Sequence, residues 1–528
     1  MKSSATLSRR AKAVGVATAT IAALALVPTG AAFAAPGGAQ SCENRNNNTV
    51  QKLLECVDAD GAMEHLEAFQ QIADDNGGSR AAGLPGYEAS VDYVVETLEA
   101  AGWNVTIDEF DFTFVGPSTL TQLTPVEADY PTGPFTGSGS GDVTASVVGV
   151  DLQLGIGNTN TSGCEDADFA NFPAGSIALI QRGFCPFADK AINAEEAGAA
   201  GVIIFNAGDA ATADRQDLIV GTLGGSEVVD IPVVGASYEQ GVALSQAGST
   251  ARVFVPLPEQ RPQKNVIAEL PGKNTDNVVM AGAHLDSVQA GPGINDNGSG
   301  SASLLEVAQN LSKLKPQNTI RLAWWGAEEA GLLGSQAYVD GLSQAEKDRI
   351  ALYLNFDMVA SPNYIFMIYD GDESQFPAPV EVPAGSVQIE DLFESYFTSV
   401  GQPYDDAEFS GRSDYEAFIL EGIPAGGLFT GAEVIKTAEQ EEIWGGVAGE
   451  SYDQCYHQAC DTIDNVNVEA LDVNIDAIAL AILAYSYSTE SVNGVVGKNI
   501  PGGLALPVPA GPEGTTGSGG GHSHGDDH

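Results

Sequence analysis

Basic residues are scarce in this sequence of 528 residues. It contains 22 lysines and arginines against 71 aspartates and glutamates, so its formal net charge is −49 at pH 7. Such an excess of negative charge opposes binding to the phosphate backbone of nucleic acid and to anionic membrane surfaces. The acidic residues are spread along the chain, which is typical of a solvated surface. We therefore expect no nucleic acid among the partners of this protein.

Long hydrophobic runs are also missing, except for one near the N-terminus. Residues 14–27 form an apolar run behind four basic residues, and Ala32, Phe33 and Ala34 offer a cleavage site of the small-x-small type. This arrangement is typical of a secretory signal peptide, and no later run is long enough to span a membrane. We predict a signal peptide over residues 1–35, a secreted, extracellular protein and no membrane span.

Cysteine is rare, and no Cys-x-x-Cys pair is present among the six cysteines. The absence of that pair argues against a zinc finger. An even number of cysteines in an exported chain favours disulfides. The cysteines fall in three local pairs, so we predict sequential disulfides: Cys42 with Cys56, Cys164 with Cys185, and Cys455 with Cys460.

Helical and strand-like patterns alternate in the C-terminal half, which predicts an α/β sheet. An N-terminal helical region, residues 50–105, precedes a β-rich region that is also rich in Gly, Thr and Pro. The predicted strands are residues 177–180, 202–205, 278–283, 319–325 and 350–356, and the predicted helices are 89–101, 187–198, 301–314, 334–339 and 471–486. Residues 260–264 are predicted to be a linker that returns the chain to the α/β domain. Residues 500–528, rich in Gly, His and Asp near their end, are predicted to be a flexible tail.

Histidine is scarce too, with six residues in the chain, yet two histidines stand among carboxylates in a pattern that suits metal binding. The side chains concerned are His284, Asp296, Glu328, Glu329, Asp357 and His457. Three of these positions directly follow predicted strands: His284, the pair Glu328 and Glu329, and Asp357. Functional sites in open α/β sheets collect at the carboxyl ends of strands. Two neutral imidazoles with several carboxylates are what a hydrolase with two zinc ions needs.

The roles within such a site follow from its chemistry. Two zinc ions ~3.5–4 Å apart require a carboxylate that bridges them, and Asp296 in its glycine-rich loop is our candidate. Of the neighbours Glu328 and Glu329, one binds metal while the other acts as a general base. Asp286, two residues after His284, suits the task of orienting an imidazole.

The same residues resemble the co-catalytic double-zinc aminopeptidases, especially the secreted bacterial leucine aminopeptidases and aminopeptidase Y. The resemblance covers residues 76–103 and about 264–486, and it is sharpest at Asn355-Phe356-Asp357-Met358 and at Cys455-Tyr456-His457. It implies a three-layer zinc-exopeptidase fold with a central mixed sheet.

The resemblance also implies the roles of individual residues. His284, Asp296 and Asp357 would hold one zinc ion, and Asp296, Glu329 and His457 the other. Glu328 would be the general base, and Tyr456 would donate a hydrogen bond to the oxyanion of the tetrahedral intermediate. The residues that match the substrate pocket are Met358, Gly411, Arg412 and Phe429. Asp472 and Asp476 match a calcium site of some members.

The β-rich region looks like a protease-associated domain inserted into the peptidase. It is identified by Cys164, the segment 177–187 and the segment 195–201. The predicted domains are a discontinuous catalytic domain over residues 40–125 and 257–495, and the inserted domain over residues 126–256. In this family the insertion is taken as an access lid or an interaction surface.

The sequence thus predicts a secreted, monomeric zinc aminopeptidase. It would hydrolyse N-terminal, preferentially apolar, residues from peptides with a free N-terminus, by attack of a zinc-activated water. One alternative is a glutaminyl cyclase-like acyltransferase, which uses one zinc ion. Another is a non-catalytic peptide-binding ectodomain, against which the intact ligands, Glu328 and Tyr456 argue.

Overall fold

The computed structural model describes residues 42, 45–225 and 228–516. The predicted signal peptide and residues 517–528 of the predicted tail lie outside the described residues. The strands are β1 Asn104–Phe114, β2 Thr119–Thr124, β3 Ala128–Tyr130, β4 Gly141–Gly149, β5 Ile177–Gln181, β6 Gly201–Phe205, β7 Val233–Ala236, β8 Thr250–Val255, β9 Glu259–Leu270, β10 Asn274–His284, β11 Asn318–Trp325, β12 Ile350–Phe356, β13 Met367–Tyr369, β14 Asp405–Ala407 and β15 Ala425–Phe429.

Helices connect these strands and cover the sheets. They are α1 Val50–Leu54, α2 Ala59–Asp75, α3 Pro85–Ala101, α4 Phe187–Glu196, α5 Ala213–Gln216, α6 Tyr238–Leu244, α7 Gly300–Leu311, α8 Leu333–Gly341, α9 Gln344–Lys347, α10 Ser386–Val400, α11 Glu416–Leu420, α12 Ala438–Trp444, α13 Val468–Tyr487 and α14 Glu490–Asn493. None of the helices within the described ranges is both long and apolar enough to cross a membrane.

An eight-stranded mixed sheet forms the centre of the larger domain, in the order β1-β9-β11-β10-β12-β15-β13-β14. Its inner strands β11, β10, β12 and β15 run parallel, while β1 and β9 pair antiparallel at one edge. Every residue of β12 is buried, as expected for a parallel strand with both faces covered. Helices α7 and α13 pack against β10 and against each other. The predicted α/β fold with a central mixed sheet is confirmed.

A second, seven-stranded sheet lies between β1 and β9 in sequence, with the order β3-β2-β8-β4-β5-β6-β7. Strands β5, β6 and β7 run parallel and consist of buried residues. The sheet includes β2, which precedes the boundary predicted at residue 126. This β-rich unit is therefore an insertion between two adjacent strands of the main sheet.

The prediction of a linker at residues 260–264 is wrong, because these residues belong to β9. Gln263 and Lys264 pair with Phe110 and Glu109 of β1. The polar composition of residues 260–264 and the presence of Pro262 made this strand unrecognisable from the sequence. Its pairing with β1 spans the whole length of both strands, and such long-range pairing leaves no local pattern in the sequence.

Disulfides join Cys42 to Cys56, Cys164 to Cys185, and Cys455 to Cys460. Each bridge is therefore local in sequence. The first lies beside α1, the second lies in the inserted unit, and the third closes a short loop that contains His457.

Candidate metal centre and active site

The ends of three parallel strands converge at one edge of the main sheet. His284 is the last residue of β10, which lies between β11 and β12. Glu328 and Glu329 follow the end of β11, and Asp357 follows β12 directly. This convergence is the arrangement that the strand pattern predicted. Asp296 reaches the same edge from the turn Ile294–Ser299, which leads into α7.

The carboxylate of Asp296 faces both histidines, one with each oxygen. Its Oδ1 lies 3.3 Å from Nε2 of His284, and its Oδ2 lies 3.3 Å from Nε2 of His457. Nε2 of His284 is also 3.3 Å from Oδ1 of Asp357, and Nε2 of His457 is 3.0 Å from Oε2 of Glu329. The side chains form two groups of three potential metal ligands, His284 with Glu328 and Asp357, and Asp296 with Glu329 and His457.

The orientation of His284 tests whether these residues fit a metal. Its Nδ1 lies 3.0 Å from the backbone carbonyl oxygen of Asp286. In the neutral imidazole Nδ1 therefore carries the proton and donates a hydrogen bond to that oxygen. Nε2 then presents a lone pair to the oxygens of Asp296 and Asp357. Carboxylates that face Nε2 require a positive charge there, which either a proton on Nε2 or a metal ion supplies. Against the effect of burial, the carboxylates accordingly raise the pKa of His284. The donor set of imidazole nitrogens and carboxylate oxygens is the one that zinc prefers, so the residues fit that metal.

Glu328 lies deep in this site and is 2 % exposed. Burial raises the pKa of Glu328 well above its ordinary value, the nearby His284 opposes this shift, and the charge of Asp357 reinforces it. Oε2 of Glu328 lies 3.9 Å from Nε2 of His284. A carboxylate whose pKa is raised in this way is a stronger base than an exposed one, which suits proton transfer.

Tyr456 and His457 project from the loop that the Cys455–Cys460 disulfide closes. Their rings stack with centroids 3.8 Å apart. Burial and the charges of Asp296 and Glu329 raise the pKa of the Tyr456 hydroxyl well above its ordinary value. The hydroxyl is therefore protonated at neutral pH and is able to donate a hydrogen bond beside the metal ligands.

The carboxylate of Asp286 contacts the segment after β11. It accepts hydrogen bonds from the backbone N–H groups of Glu328 at 3.2 Å and Glu329 at 3.4 Å, and its Oδ1 lies 3.6 Å from Nδ1 of His284. Asp286 thus touches the imidazole mainly through its own carbonyl group, while its side chain fixes the backbone that carries both glutamates.

Three residues that sequence reasoning did not single out support the site. Asp461 accepts hydrogen bonds from the backbone N–H groups of Asn295 and Asp296. The fully buried Arg80 donates to the carbonyl groups of Leu285, Pro292 and Gly293, in the segment between β10 and the turn that carries Asp296. Ser413 donates to Oδ2 of Asp357 at 2.5 Å and accepts from Asn355 at 2.8 Å. Arg80 and Ser413 lie within the segments that the resemblance covers, but their hydrogen-bond partners are distant in sequence.

The residues predicted to form the substrate pocket lie next to Asp357 and on a neighbouring loop. The carbonyl group of Met358 accepts a hydrogen bond from the backbone of Thr430, which follows Phe429, and both Met358 and Phe429 are buried. Gly411 and Arg412 donate from their backbone N–H groups to the hydroxyl of Tyr415. The structure therefore places Met358 and Phe429 side by side at the end of the strands that carry the site.

A cleft of about 600 Å³ connects the site with the inserted unit. Glu329 and Asp286 of the site and Phe112 and Phe114 of β1 are among the residues that line it. The residues of the inserted unit in its lining are Thr132, Gly133, Pro134 and Val220. A ligand in this cleft would contact both parts of the molecule.

The two residues predicted to bind calcium lie together on α13. Oδ1 of Asp472 accepts a hydrogen bond from the backbone of Ala59, at the start of α2. Burial raises the pKa of Asp476 to about 8, and the charges of Asp472 and Asp58 contribute. Calcium binding at this position stays a prediction.

Two histidines and four carboxylates gathered at one edge of an α/β sheet are typical of metal-dependent hydrolases. Residues 265–482 match peptidase family M28, and residues 143–244 match the PA domain. The chain is 49% identical to an aminopeptidase of Pseudomonas aeruginosa over 497 residues, which covers 90% of this chain and 92% of that protein. It is 39% identical to leucine aminopeptidase 2 of Trichophyton equinum over 446 residues, covering 84% of this chain and 86% of that protein.

Solved structures give the same result. The aminopeptidase from Aneurinibacillus sp. strain AM-1 is 30% identical, with a TM-score of 0.56, and the match covers 87% of this chain and 99% of that one. A zinc aminopeptidase from Bacillus subtilis is 26% identical, with a TM-score of 0.62 and coverage of 81% and 94%. The chain therefore belongs to peptidase family M28 and is a metalloaminopeptidase with an inserted PA domain. The family resemblance predicted from the sequence is confirmed.

Proposed function

We propose that this protein is a secreted aminopeptidase with two zinc ions that removes N-terminal, preferentially apolar, residues from peptides. The observation that carries this proposal is the position of Asp296, whose two carboxylate oxygens each face the Nε2 atom of a different histidine. A carboxylate in that position suits a bridge between two ions, whereas a site for one ion would need only one of these contacts.

Three residues would hold each ion. His284, Asp296 and Asp357 would bind one, and Asp296, Glu329 and His457 the other. When bound, the zinc ions would polarise the scissile carbonyl group and lower the pKa of a water molecule to about 7.

The chain's own residues handle the proton and the developing charge. Glu328, with its raised pKa, takes up a proton on its carboxylate as the peptide bond is attacked and returns it to the leaving amine. Tyr456 keeps its proton at neutral pH and donates a hydrogen bond to the oxygen on which negative charge develops. The buried position of Glu328 excludes bulk water from its carboxylate and strengthens its interactions.

Substrate selection rests on charge and on access. A free α-amine is a cation, and the carboxylates of Glu328 and Asp357 would hold it. Met358 follows Asp357, and Phe429 precedes Thr430, whose backbone binds the carbonyl group of Met358; the apolar side chains of both would face the side chain of the N-terminal residue. The cleft that runs from Glu329 to the inserted PA domain suits the rest of the peptide, and its walls favour flexible peptide ends.

Hydrolysis of leucine nitroanilide and of its N-acetyl form, at equal concentrations, tests this proposal. Acetylation removes the positive charge and adds bulk where the amine would bind. We expect rapid release of nitroaniline from the free amine and very little from the acetylated compound. Similar rates on both compounds would mean that the amine is not recognised, and this selection of substrates would be wrong.

A further inference from the structure

A second collection of carboxylates lies at the other end of the main sheet, outside the site described above. Asp370 follows β13, Glu390 and Glu394 lie one turn apart on α10, and Asp406 lies on β14. Strands β13 and β14 are the outermost pair of the sheet on this side. The proposed aminopeptidase mechanism uses none of these residues.

These side chains are close enough to share a cation. One carboxylate oxygen from each of Glu390, Glu394 and Asp406 lies within 4.8 Å of the others. The same holds for Asp370, Asp372 and Glu390, so that Glu390 belongs to both groups. The three residues of the first group are buried, with exposed fractions of 5 % for Glu390, 8 % for Glu394 and 0 % for Asp406.

The charge around them is negative. Burial raises the pKa of Glu390 to about 9, and the charges that add to this shift come from Asp372, Asp406, Glu394 and Asp370. Burial raises the pKa of Asp406 to about 7, again with carboxylates as the charged neighbours. Buried carboxylates without a compensating charge are costly, so this group needs protons or a cation.

Hydrogen bonds satisfy part of the cluster and leave one buried oxygen without a donor. Oε2 of Glu390 accepts from the backbone N–H groups of Gly371 and Asp372, at 3.1 and 3.0 Å. Oδ2 of Asp406 accepts from the hydroxyl of Ser374 at 3.2 Å. Oδ1 of Asp406 is buried in the same place, and no donor among the described residues reaches it. A buried carboxylate oxygen near other carboxylates, without a hydrogen-bond donor of its own, is suited to bind a metal ion.

We propose that Glu390, Glu394 and Asp406 bind a calcium ion, with Asp370 and Asp372 beside it. The donors are all oxygens, which favours a hard cation over zinc, and calcium tolerates irregular arrangements of several carboxylates better than magnesium does. Asp370, Asp372 and Ser374 also alternate along their loop, and calcium-binding loops present oxygen ligands with this spacing.

The ion would join three elements that are separate in sequence: the loop after β13, helix α10 and strand β14. Strand β13 pairs with β15, and the residue after β15, Thr430, binds the carbonyl group of Met358 beside Asp357. Because β13 runs antiparallel to β15, the residues after β13 lie at the end of the sheet opposite Asp357, and calcium would stabilise the outer strands there. Its expected effect is on stability, and the proposal does not depend on the aminopeptidase mechanism.

Equilibrium dialysis of the zinc-loaded full chain against radioactive calcium tests this site. Asp406→Asn keeps the shape of the side chain but removes its charge, so it should bind one calcium ion fewer per chain than the wild type. Asp391→Asn is the matched control, because Asp391 is a carboxylate of α10 but belongs to neither group of candidate ligands. The control should keep the calcium ion that Asp406→Asn loses. Equal calcium content in the wild type and in Asp406→Asn would overturn the proposal.

Thermal unfolding gives a second measurement that does not use enzyme activity. Calcium should raise the Tm of the wild type and of Asp391→Asn more than it raises the Tm of Asp406→Asn. In calcium-free buffer, Asp406→Asn should unfold at or above the temperature of the wild type, because one repelling charge is gone. If Asp406→Asn does not fold, Glu394→Gln takes its place with the same expectations. A rise in Tm of the same size in the wild type and the cluster variant would contradict a site at Asp406.

Discussion

Asp461 holds the backbone of the candidate bridging residue, Asp296. Its Oδ2 accepts a hydrogen bond from the N–H group of Asp296 at 3.0 Å, and its Oδ1 accepts one from the N–H group of Asn295 at 2.9 Å. Asp461 directly follows Cys460 of the disulfide-closed loop that carries His457. The carboxylate thus fixes the position of one metal-binding segment relative to another.

Asp461→Asn should weaken metal binding. An amide can accept only one of the two hydrogen bonds, and its NH₂ group would face the other N–H group. Loss of a residue that orients metal ligands typically lowers metal affinity about 10–100-fold, and we expect a change of that size. Zinc affinity measured by competition with a chelator checks this, with Asp464→Asn, a neighbour on the same segment, as the control. Unchanged affinity in Asp461→Asn would contradict this role.

The zinc content of two variants tests whether Asp296 bridges two zinc ions. Asp296→Ala should lose both zinc ions, because its two oxygens face the two halves of the site. Glu329→Ala should mainly weaken one ion, because Glu329 lies 3.0 Å from Nε2 of His457, whereas Asp296 faces both histidines. Elemental analysis of the purified variants measures the zinc content per chain. A fully active wild-type enzyme with a single zinc ion would contradict the two-ion site and favour the cyclase-like alternative.

Much of the site could be predicted from the sequence because its residues follow directly on apolar strands. The strand predicted at residues 350–356 has the same bounds in the fold, and Asp357 follows it. Parallel strands bring their carboxyl ends to one edge, so the order of apolar strands and polar residues along the chain is enough to locate such a site. The family resemblance supplied His457, which follows no strand.

The supporting residues could not be found in this way. Arg80 donates hydrogen bonds to three backbone carbonyl groups more than two hundred residues away. Every residue has such a carbonyl group, so the sequence gives no sign of which ones are the acceptors. The acidic cluster at the edge of the sheet was missed for a related reason. It depends on the pairing of β13 with β14, two strands of three residues each, and strands this short show no periodicity.

Arg80 should be important for stability. Arg80→Met keeps the length of the side chain but leaves the buried carbonyl groups of Leu285 and Pro292 without their donor, while that of Gly293 keeps the N–H group of Gly298. Each buried unpaired polar group costs about 1–3 kcal/mol, so we expect a loss of several kcal/mol in the free energy of unfolding. Urea unfolding followed by fluorescence measures this. A loss below about 1 kcal/mol would mean that the carbonyl groups find other partners.

The division of roles between the two adjacent glutamates is tested by Glu328→Gln. The substitution keeps the shape of the side chain but removes its basicity, so the zinc content should not change. The turnover number should fall by about 10²–10⁴-fold, the size of a lost general base. Zinc content and kcat are measured on the same preparation. If zinc is lost together with activity, Glu328 is a metal ligand, and the roles of Glu328 and Glu329 are exchanged.

Tyr456→Phe tests the hydrogen bond to the developing oxyanion. The ring of Tyr456 stacks on His457, so phenylalanine should keep the loop and the imidazole in place while removing only the hydroxyl group. That hydroxyl is a donor at neutral pH, because burial and the charges of Asp296 and Glu329 raise its pKa. Loss of such a donor should lower kcat by about 10²–10³-fold. KM should change little, because the hydrogen bond strengthens only as charge develops on the oxygen.

Steady-state kinetics on leucine nitroanilide separates the two constants, and zinc content controls for damage to the metal site. A variant with normal kcat would remove Tyr456 from the mechanism, whereas a raised KM with normal kcat would place its hydroxyl in substrate binding instead.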